Sequence, residues 1–226
     1  MSARTRRGIR VRGVTFSFTE LRDLAVAWLV LGLAFTVVLE YRALQRVVRG
    51  GSVDLGPLAV IFGLSLATVG LGVVLHELGH KLVAIRFGQV AEFRADYNML
   101  VFALLGSLMG FIFAAPGAVH HRGRLTERQR GLIALAGPIV NVVLAVGFAA
   151  LFVLAPGPLL ESVAGFGFFI NVFLAGFNMI PFGPLDGRKV LDWSPVVFAA
   201  VFVPTAAFTL DLLGLVDLPF VGLPVL

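Results

Sequence analysis

Six apolar stretches, each about as long as a membrane-spanning helix, limit the folds that this chain can adopt. A spanning helix requires roughly 20 mostly apolar residues. The composition agrees, because 58% of the 226 residues are hydrophobic and only 14% are charged, whereas soluble domains are about a quarter charged. A soluble fold of this size could not bury so much apolar surface. The sequence therefore predicts an all-α polytopic membrane protein, with candidate spans at about 24–40, 57–85, 99–118, 131–155, 162–180 and 195–215.

The distribution of positive charge indicates how many of these candidates cross the membrane. Cytoplasmic loops carry an excess of Lys and Arg. If all six cross from a cytoplasmic N-terminus, eight Lys and Arg lie inside and nine outside. If segment 99–118 re-enters or lies at the interface, fourteen lie inside and three outside. We therefore expect about five transmembrane helices and a re-entrant or interfacial segment at about 88–118, with a short β-hairpin as one option. Six spans is the alternative.

The chain starts with a basic segment ahead of the first span. A basic tail in this place is typical of an orientation signal with affinity for anionic lipid headgroups. No base-stacking aromatic residues accompany it, so we expect no nucleic-acid partner. We predict a basic cytoplasmic tail at 1–23 and a single membrane domain over 1–226, in a multi-pass protein of the cell membrane. There is no cysteine, which excludes disulfides and Cys-based metal sites. Five arginines lie in the first 12 residues: Arg4, Arg6, Arg7, Arg10 and Arg12.

The stretch HELGH, residues 76–80, places three ionisable residues inside a candidate span. Each such residue costs roughly 2.5–3.5 kcal/mol on insertion scales, so the group needs a physical reason. On a helix, His76 and His80 share one face and can bind one metal ion. Glu77 then lies beside the metal and can accept a proton from its bound water. The alternative is a chance match with two buried, hydrogen-bonded histidines. We predict a metal site.

Two histidines do not complete a catalytic zinc site, which usually has three protein ligands. The candidates for the third ligand are His120, His121, Asp186 and Asp192. His120 and His121 adjoin a basic loop, and we expect them at the surface. Asp186 follows an apolar span in NMIPFGPLDGRKV (178–190), and broken helices at membrane depth generally line a site. With five spans Asp186 also reaches the same side of the membrane as the two histidines, so it is the preferred third ligand.

Three asparagines lie in or at the ends of apolar segments. Asn141 is about ten residues into span 131–155, at a depth near 15 Å. A buried amide needs hydrogen-bond partners, and bonding between helices is its ordinary use. Contact with a substrate backbone is the alternative. Asn171 and Asn178 pose the same choice, and we favour Asn178 because it immediately precedes the broken segment.

HELGH in one apolar segment, AGPIVN in a later one and NMIPFGPLDGRKV after that resemble, in this order, the site-2 protease family of intramembrane zinc metalloproteases. The resemblance covers roughly 70–192 and implies a catalytic core at about 57–192. It implies one zinc ion per chain bound by His76, His80 and Asp186, with Glu77 as general base. It also implies that Asn141 binds substrate or faces the oxyanion.

The chain departs from the family pattern at Arg188, where many members have a second glycine after the Asp-Gly pair. The sequence leaves no room for an inserted PDZ or CBS domain, so it resembles a minimal member of the family. Of Asn171 and Asn178, we retain Asn178, which immediately precedes the broken segment, as a candidate for substrate binding.

The resemblance implies hydrolysis of a peptide bond within or near the transmembrane helix of a membrane-protein substrate, as in regulated intramembrane proteolysis. We place the active site in the cytoplasmic half of the bilayer. The substrate helix has to unwind first, and segment 88–118 could pair with it by β-augmentation. The alternatives are a non-catalytic zinc-binding scaffold of the same fold and, less readily, a metal transporter, which needs polar groups through the full membrane depth. The sequence does not determine the oligomeric state.

Overall fold

A computed structural model describes residues 8–52, 54–112, 116–154 and 157–216. Arg4, Arg6 and Arg7 of the basic segment lie outside this part of the chain. The described elements are β1 (Gly8–Val11), β2 (Val14–Ser17), α1 (Phe18–Leu39), α2 (Tyr41–Val48), α3 (Leu55–Ser65), a π-helical turn (Leu66–Gly70), α4 (Leu71–Arg86), β3 (Val90–Ala95), α5 (Tyr97–Leu108), β4 (Gly117–Arg122), α6 (Glu127–Leu154), α7 (Pro158–Asn178), α8 (Asp186–Trp193) and α9 (Pro195–Leu212).

Five helices of the described residues are long and apolar enough to cross a membrane, which confirms the predicted fold class. The second of them, Leu55–Arg86, is continuous through α3, the π-helical turn and α4. The sixth candidate, 99–118, instead contains the 12-residue helix α5. At 1.5 Å per residue α5 extends about 18 Å, too short for a hydrocarbon core of about 30 Å. The five candidate spans among the described residues are α1, α3–α4, α6, α7 and α9.

The strands β3 and β4 flank α5, in the segment 88–118 for which the sequence predicted a short β-hairpin as one option. β3 pairs with β4 in antiparallel register, Phe93 opposite Val119 and Ala95 opposite Gly117. The other sheet, β1–β2, falls in the segment that we expected to be a basic tail. Its turn residues Arg12 and Gly13 both have positive φ, 47° and 88°. Two such residues form the tight turn that matches strand twist in a hairpin.

The chain divides into two compact units, so the prediction of a single domain over 1–226 stays a prediction. In the first unit, residues up to Leu66 with Ala84–Gly123, α1 packs against α3, α5 and β3. Side chains at the start of α1 bind the backbone of β3: Glu20 Oε1 accepts from Phe93 N (3.1 Å) and Asp23 Oδ2 from Ala95 N (3.4 Å). These carboxylates occupy the edge of β3 that faces away from β4.

The second unit, Ala67–Val83 with the chain from Arg124 onward, contains α6 to α9. α6 packs against α7 and α8, and α9 packs against α7 and α8. Close helix approach depends on small residues, because membrane helices associate mainly through packing. At Gly167 on α7 an added Cβ would overlap the ring of Phe148 on α6. A buried cluster of Ala134, Met179 and Val190 joins α6, the end of α7 and α8.

We predict that Gly167→Ala lowers stability by about 1–3 kcal/mol, the usual cost of overpacking a tight contact. Thermal unfolding of the full chain in detergent measures this change. Gly147→Ala is the matched control, since a Cβ at Gly147 on α6 meets nothing within 4 Å. Equal unfolding temperatures for the two variants would contradict the packing that we describe between α6 and α7.

Candidate metal centre

The HELGH residues lie on α4, beginning six residues after the end of the π-helical turn Leu66–Gly70. His76, Glu77 and His80 are all buried, each less than a tenth exposed. The two imidazoles lie on the same side of the helix, with ring centroids 4.6 Å apart and planes nearly perpendicular (82°). The helical spacing therefore brings both rings together, as the sequence predicted.

Asp186 is delivered to these rings by the break between α7 and α8. α7 ends at Asn178, and α8 begins at Asp186 itself. At Gly187 an added Cβ would overlap the carbonyl of Met179, so the chain packs tightly on itself here. Val190, fully buried against α6, fixes the following turn. The side chain of Asp186 thus enters the site from a short, well-packed helix.

Three potential ligand atoms converge at this point. Asp186 Oδ2 lies 3.3 Å from His76 Nε2 and 3.0 Å from His80 Nε2. Tetrahedral zinc with bonds near 2.0–2.1 Å separates its ligand atoms by roughly 3.3 Å. Asp186 supplies a carboxylate oxygen, Oδ2, to this point, and Lys189 Nζ lies 3.4 Å from its other oxygen, Oδ1.

The other nitrogen of each ring bonds to α6. His80 Nδ1 lies 2.7 Å from the carbonyl of Ile133, and His76 Nδ1 lies 2.6 Å from Oδ1 of Asn141. A backbone carbonyl only accepts, so His80 donates from Nδ1, which leaves Nε2 as the nitrogen that can bind a metal. Metal-binding histidines ordinarily use their second nitrogen in this way. The hydrogen bonding of both rings thus suits metal ligation through Nε2.

Two further observations fit a metal with bound water. At Gly137 on α6 a Cβ would overlap Nε2 of both His76 and His80, so glycine leaves room beside the ligand atoms. Glu77 Oε2 is buried and has no hydrogen-bond partner within the described part of the chain. A buried carboxylate oxygen without a partner is costly, and a water at the metal would satisfy it. The residues present therefore fit a catalytic zinc site with three protein ligands.

Asn141 is completely buried, and its amide bonds within the protein. Oδ1 faces His76, while Nδ2 donates to Gly72 O (3.2 Å) and to Asn171 Oδ1 (3.0 Å). These contacts use both donors and one acceptor position of the amide. Substrate binding by Asn141 stays a prediction, and the observed contacts are those of a residue that orients His76.

The structure does not bring the remaining candidates to this cluster. His120 and His121 are exposed on β4. Asp192 is exposed on α8 and forms an ion pair with Arg188 (3.0 Å). Arg188 lies within α8 and does not have a positive φ, so the backbone at this position does not require a second glycine. Asn178 donates to the carbonyl of Leu174 in its own helix (2.9 Å), and its substrate role stays a prediction.

Sequence reasoning missed Gly137 and gave Asn171 too little weight. Gly137 lies in AGPIVN, the motif that also contains Asn141, four residues before that asparagine. This i, i+4 spacing on a helix could have indicated that both face the same neighbour. For Asn171 the available signal was an amide in the middle of an apolar span, which requires a partner.

We predict that Gly137→Ala weakens zinc binding at least tenfold, because the added methyl group overlaps both Nε2 atoms. Competition with a chromophoric chelator on the purified full chain measures the affinity. Gly147→Ala, on the same helix with open space at its Cβ, is the control and keeps the parental affinity. Unchanged zinc affinity in Gly137→Ala would show that the metal does not bind between these rings.

Comparison with known proteins supports the metal chemistry of this cluster. No family model matches the chain, and no solved structure matches it. The chain is similar to "Putative zinc metalloprotease MJ0611" of Methanocaldococcus jannaschii, with 46% identity over 154 residues, or 67% of this chain and 81% of that protein. "Putative zinc metalloprotease YwhC" of Bacillus subtilis is 32% identical over 55% of this chain and 66% of its own length.

A third relative, "Zinc metalloprotease MJ0392" of Methanocaldococcus jannaschii, is 28% identical over 59% of this chain and only 38% of its own length. The aligned part of the chain thus spans most of the first relative and a smaller share of the longer one. The identity to the first relative extends over four fifths of that protein. The chain therefore belongs to the site-2 protease-like family of zinc metalloproteases.

Proposed function

We propose that this protein is an intramembrane zinc metalloprotease, which hydrolyses a peptide bond within or near the transmembrane helix of a membrane-protein substrate. The observation that carries the proposal is the convergence of His76, His80 and Asp186. The two histidines and the buried Glu77 lie on a helix that is long and apolar enough to span a membrane, and Asp186 joins them from α8. The three ligand atoms lie within 4.8 Å of one another and would hold one zinc ion per chain.

Glu77 is the proposed general base. Bound zinc would lower the pKa of a water ligand toward neutrality and polarise the scissile carbonyl. Glu77 directly follows His76 in the sequence. Its buried oxygen Oε2 has no hydrogen-bond partner in the described structure. That oxygen is available to accept a proton from water and pass it to the leaving amine. A scaffold that only held zinc would gain nothing from a buried, unsatisfied carboxylate oxygen at this place.

The proposed orientation places the N-terminus in the cytoplasm and the active site in the cytoplasmic half of the bilayer. Five crossings leave fourteen Lys and Arg on the inner side and three on the outer side, as the positive-inside rule requires. His80 is six residues before the end of the span Leu55–Arg86, a depth of roughly 10 Å at 1.5 Å per residue. Cleavage would therefore occur below the membrane surface, in a substrate helix that has unwound.

Substrate pairing by β-augmentation would use β4, on the sheet β3–β4. The outward N–H groups of Phe93 and Ala95 on β3 already bond to Glu20 and Asp23. Phe93 is paired with Val119, and residues opposite each other in an antiparallel ladder direct their backbone groups the same way relative to the partner strand. The N–H of Val119 therefore points away from β3, toward the outer edge of β4, where an extended peptide can add as a further strand.

We predict that Glu77→Gln retains zinc and loses cleavage by about 100-fold or more, the usual contribution of a positioned general base. The assay combines metal analysis with cleavage of a single-span substrate in detergent or vesicles. Glu161→Gln is the matched control, because Glu161 is an exposed acid at the start of α7. Wild-type cleavage by zinc-loaded Glu77→Gln would refute this role. Zinc binding without cleavage in the parental protein would favour the scaffold alternative, and vectorial metal uptake the transporter.

We predict that Val119→Pro lowers kcat/KM about three- to tenfold, since proline removes one edge N–H and a net hydrogen bond contributes about 0.5–1.5 kcal/mol. Proline is tolerated on edge strands, and Val119→Ala controls for the lost side chain. Zinc affinity should not change in either variant. Equal cleavage by the proline and alanine variants would count against strand addition at β4.

A further inference from the structure

A buried asparagine on α7 is connected to the metal centre only through another residue, since its side-chain hydrogen bonds in the described structure are to Gly167 and Asn141. Asn171 is completely buried. Its Nδ2 donates to the carbonyl of Gly167 (2.8 Å), and its Oδ1 accepts from Nδ2 of Asn141 (3.0 Å). Asn141 in turn bonds to His76. A continuous chain of hydrogen bonds thus runs from the backbone of α7 through two amides to one imidazole.

We propose that Asn171 is a positioning residue of the metal centre, which acts through Asn141 to hold His76 in the tautomer that presents the Nε2 lone pair to the metal. The proposal rests on the zinc site put forward above and adds to it a residue on α7. Asn171 touches neither metal nor substrate in this arrangement. Asn171 contributes by fixing the orientation of the Asn141 amide.

The direction of these hydrogen bonds follows from two backbone carbonyls that can only accept, those of Gly167 and Gly72. Gly167 O requires the NH2 end of Asn171 on its side, which turns Oδ1 toward Asn141. Gly72 O and Asn171 Oδ1 together require the NH2 end of Asn141, which turns its Oδ1 toward His76. An amide oxygen cannot donate. His76 must therefore donate from Nδ1, which leaves Nε2 as the nitrogen that would bind a metal ion held between it and Asp186.

The packing around Asn171 leaves little freedom for another arrangement. A Cβ at Gly72 on α4 would lie 2.8 Å from Asn171 Oδ1, so glycine allows this amide to approach α4. Both amides are completely buried, without water exposure to compensate a reversed orientation. Reversing Asn141 would set its NH2 group against His76 and its oxygen against Gly72 O. Two acceptors in contact without a proton between them are unfavourable, so the chain favours one polarity.

The two histidines obtain the same tautomer by different means. His80 bonds directly to the backbone carbonyl of Ile133, an acceptor that cannot rotate independently of α6. His76 bonds to a side-chain amide, which can present either its oxygen or its nitrogen. Only the His76 side therefore needs a second residue to select the amide orientation, and Asn171 supplies the acceptor that does so.

The test compares two asparagines of α7 seven residues apart. Both Asn171 and Asn178 donate to a carbonyl four residues earlier in the helix, but only Asn171 bonds to Asn141. Asn171→Leu should weaken zinc binding about tenfold, the lower end of the usual effect of outer-shell partners. Asn178→Leu should leave zinc affinity unchanged. Affinity is measured by chelator competition on the full chain, and the visible spectrum of bound Co²⁺ reports the ligand geometry.

Two further variants separate positioning from a loss of folding. Asn171→Thr retains a hydroxyl that can donate to Gly167 O, as Thr205 does to Val201 O (2.7 Å), but it ends one bond short of the amide oxygen. It should fold and still bind zinc more weakly. In an Asn141→Ala background, Asn171→Leu should cause no further loss, because its effect passes through Asn141.

The outcomes distinguish this proposal from the function on which it depends. A parental protein that binds no zinc refutes both. A parental protein that binds zinc, with parental affinity and Co²⁺ spectrum in folded Asn171→Leu and Asn171→Thr, refutes the positioning role alone. Additive losses for the Asn141 and Asn171 substitutions also refute it, since independent effects would mean two separate structural contacts. The proposal is supported if zinc affinity falls about tenfold in Asn171→Leu but not in Asn178→Leu, and if Asn171→Leu causes no further loss in the Asn141→Ala background.

Discussion

The hydrogen bonds from Nδ1 of His76 and His80 to acceptors on α6 are the interactions on which the arrangement of the second unit depends. An imidazole inside an apolar helix bundle must find a partner for its N–H or bear a large desolvation cost. These partners draw α4 close to α6, and close approach requires small residues on both helices. At Gly79 a Cβ would lie 3.0 Å from Ala136 O, and at Gly137 it would overlap both rings. The hydrogen bonds of the two histidines and the packing at the two glycines therefore both require α4 to lie against α6.

The first unit satisfies its buried polar groups in a comparable way. Glu20, Asp23 and Glu92 are buried at the start of α1 and on β3. Backbone N–H groups of β3 bond to the first two, and Arg94 forms an ion pair with Glu92 (2.8 Å). The acids therefore close one edge of a two-stranded sheet, which would otherwise present free backbone groups on both sides. Our proposal of strand addition at β4 follows from this closed edge.

Much of the fold was predictable, because membrane helices carry a strong one-dimensional signal. Length, apolarity and the Lys and Arg bias were sufficient to favour five spans over six, with 99–118 as the segment that does not cross. A weaker local signal was overlooked. The alternation of Ile9, Val11, Val14 and Phe16 around Arg12–Gly13 is a hairpin pattern, and the prediction of a basic tail at 1–23 did not include this hairpin. The two-unit division depends on contacts between distant segments, for which no single stretch carries a signal.

The sequence by itself was sufficient to predict a metal site. The spacing of His76, Glu77 and His80 requires only a helix to place two imidazoles on one face, and helical spacing is local. The tertiary structure decided how those imidazoles are used. That Asp186 rather than Asp192 meets them, that Asn141 bonds to His76, and that Asn171 rather than Asn178 supports Asn141 all depend on which faces of α6, α7 and α8 pack against α4. Hydrogen bonds between residues 30 or more positions apart arise from that packing. Neither composition nor the spacing of residues along the chain predicts them.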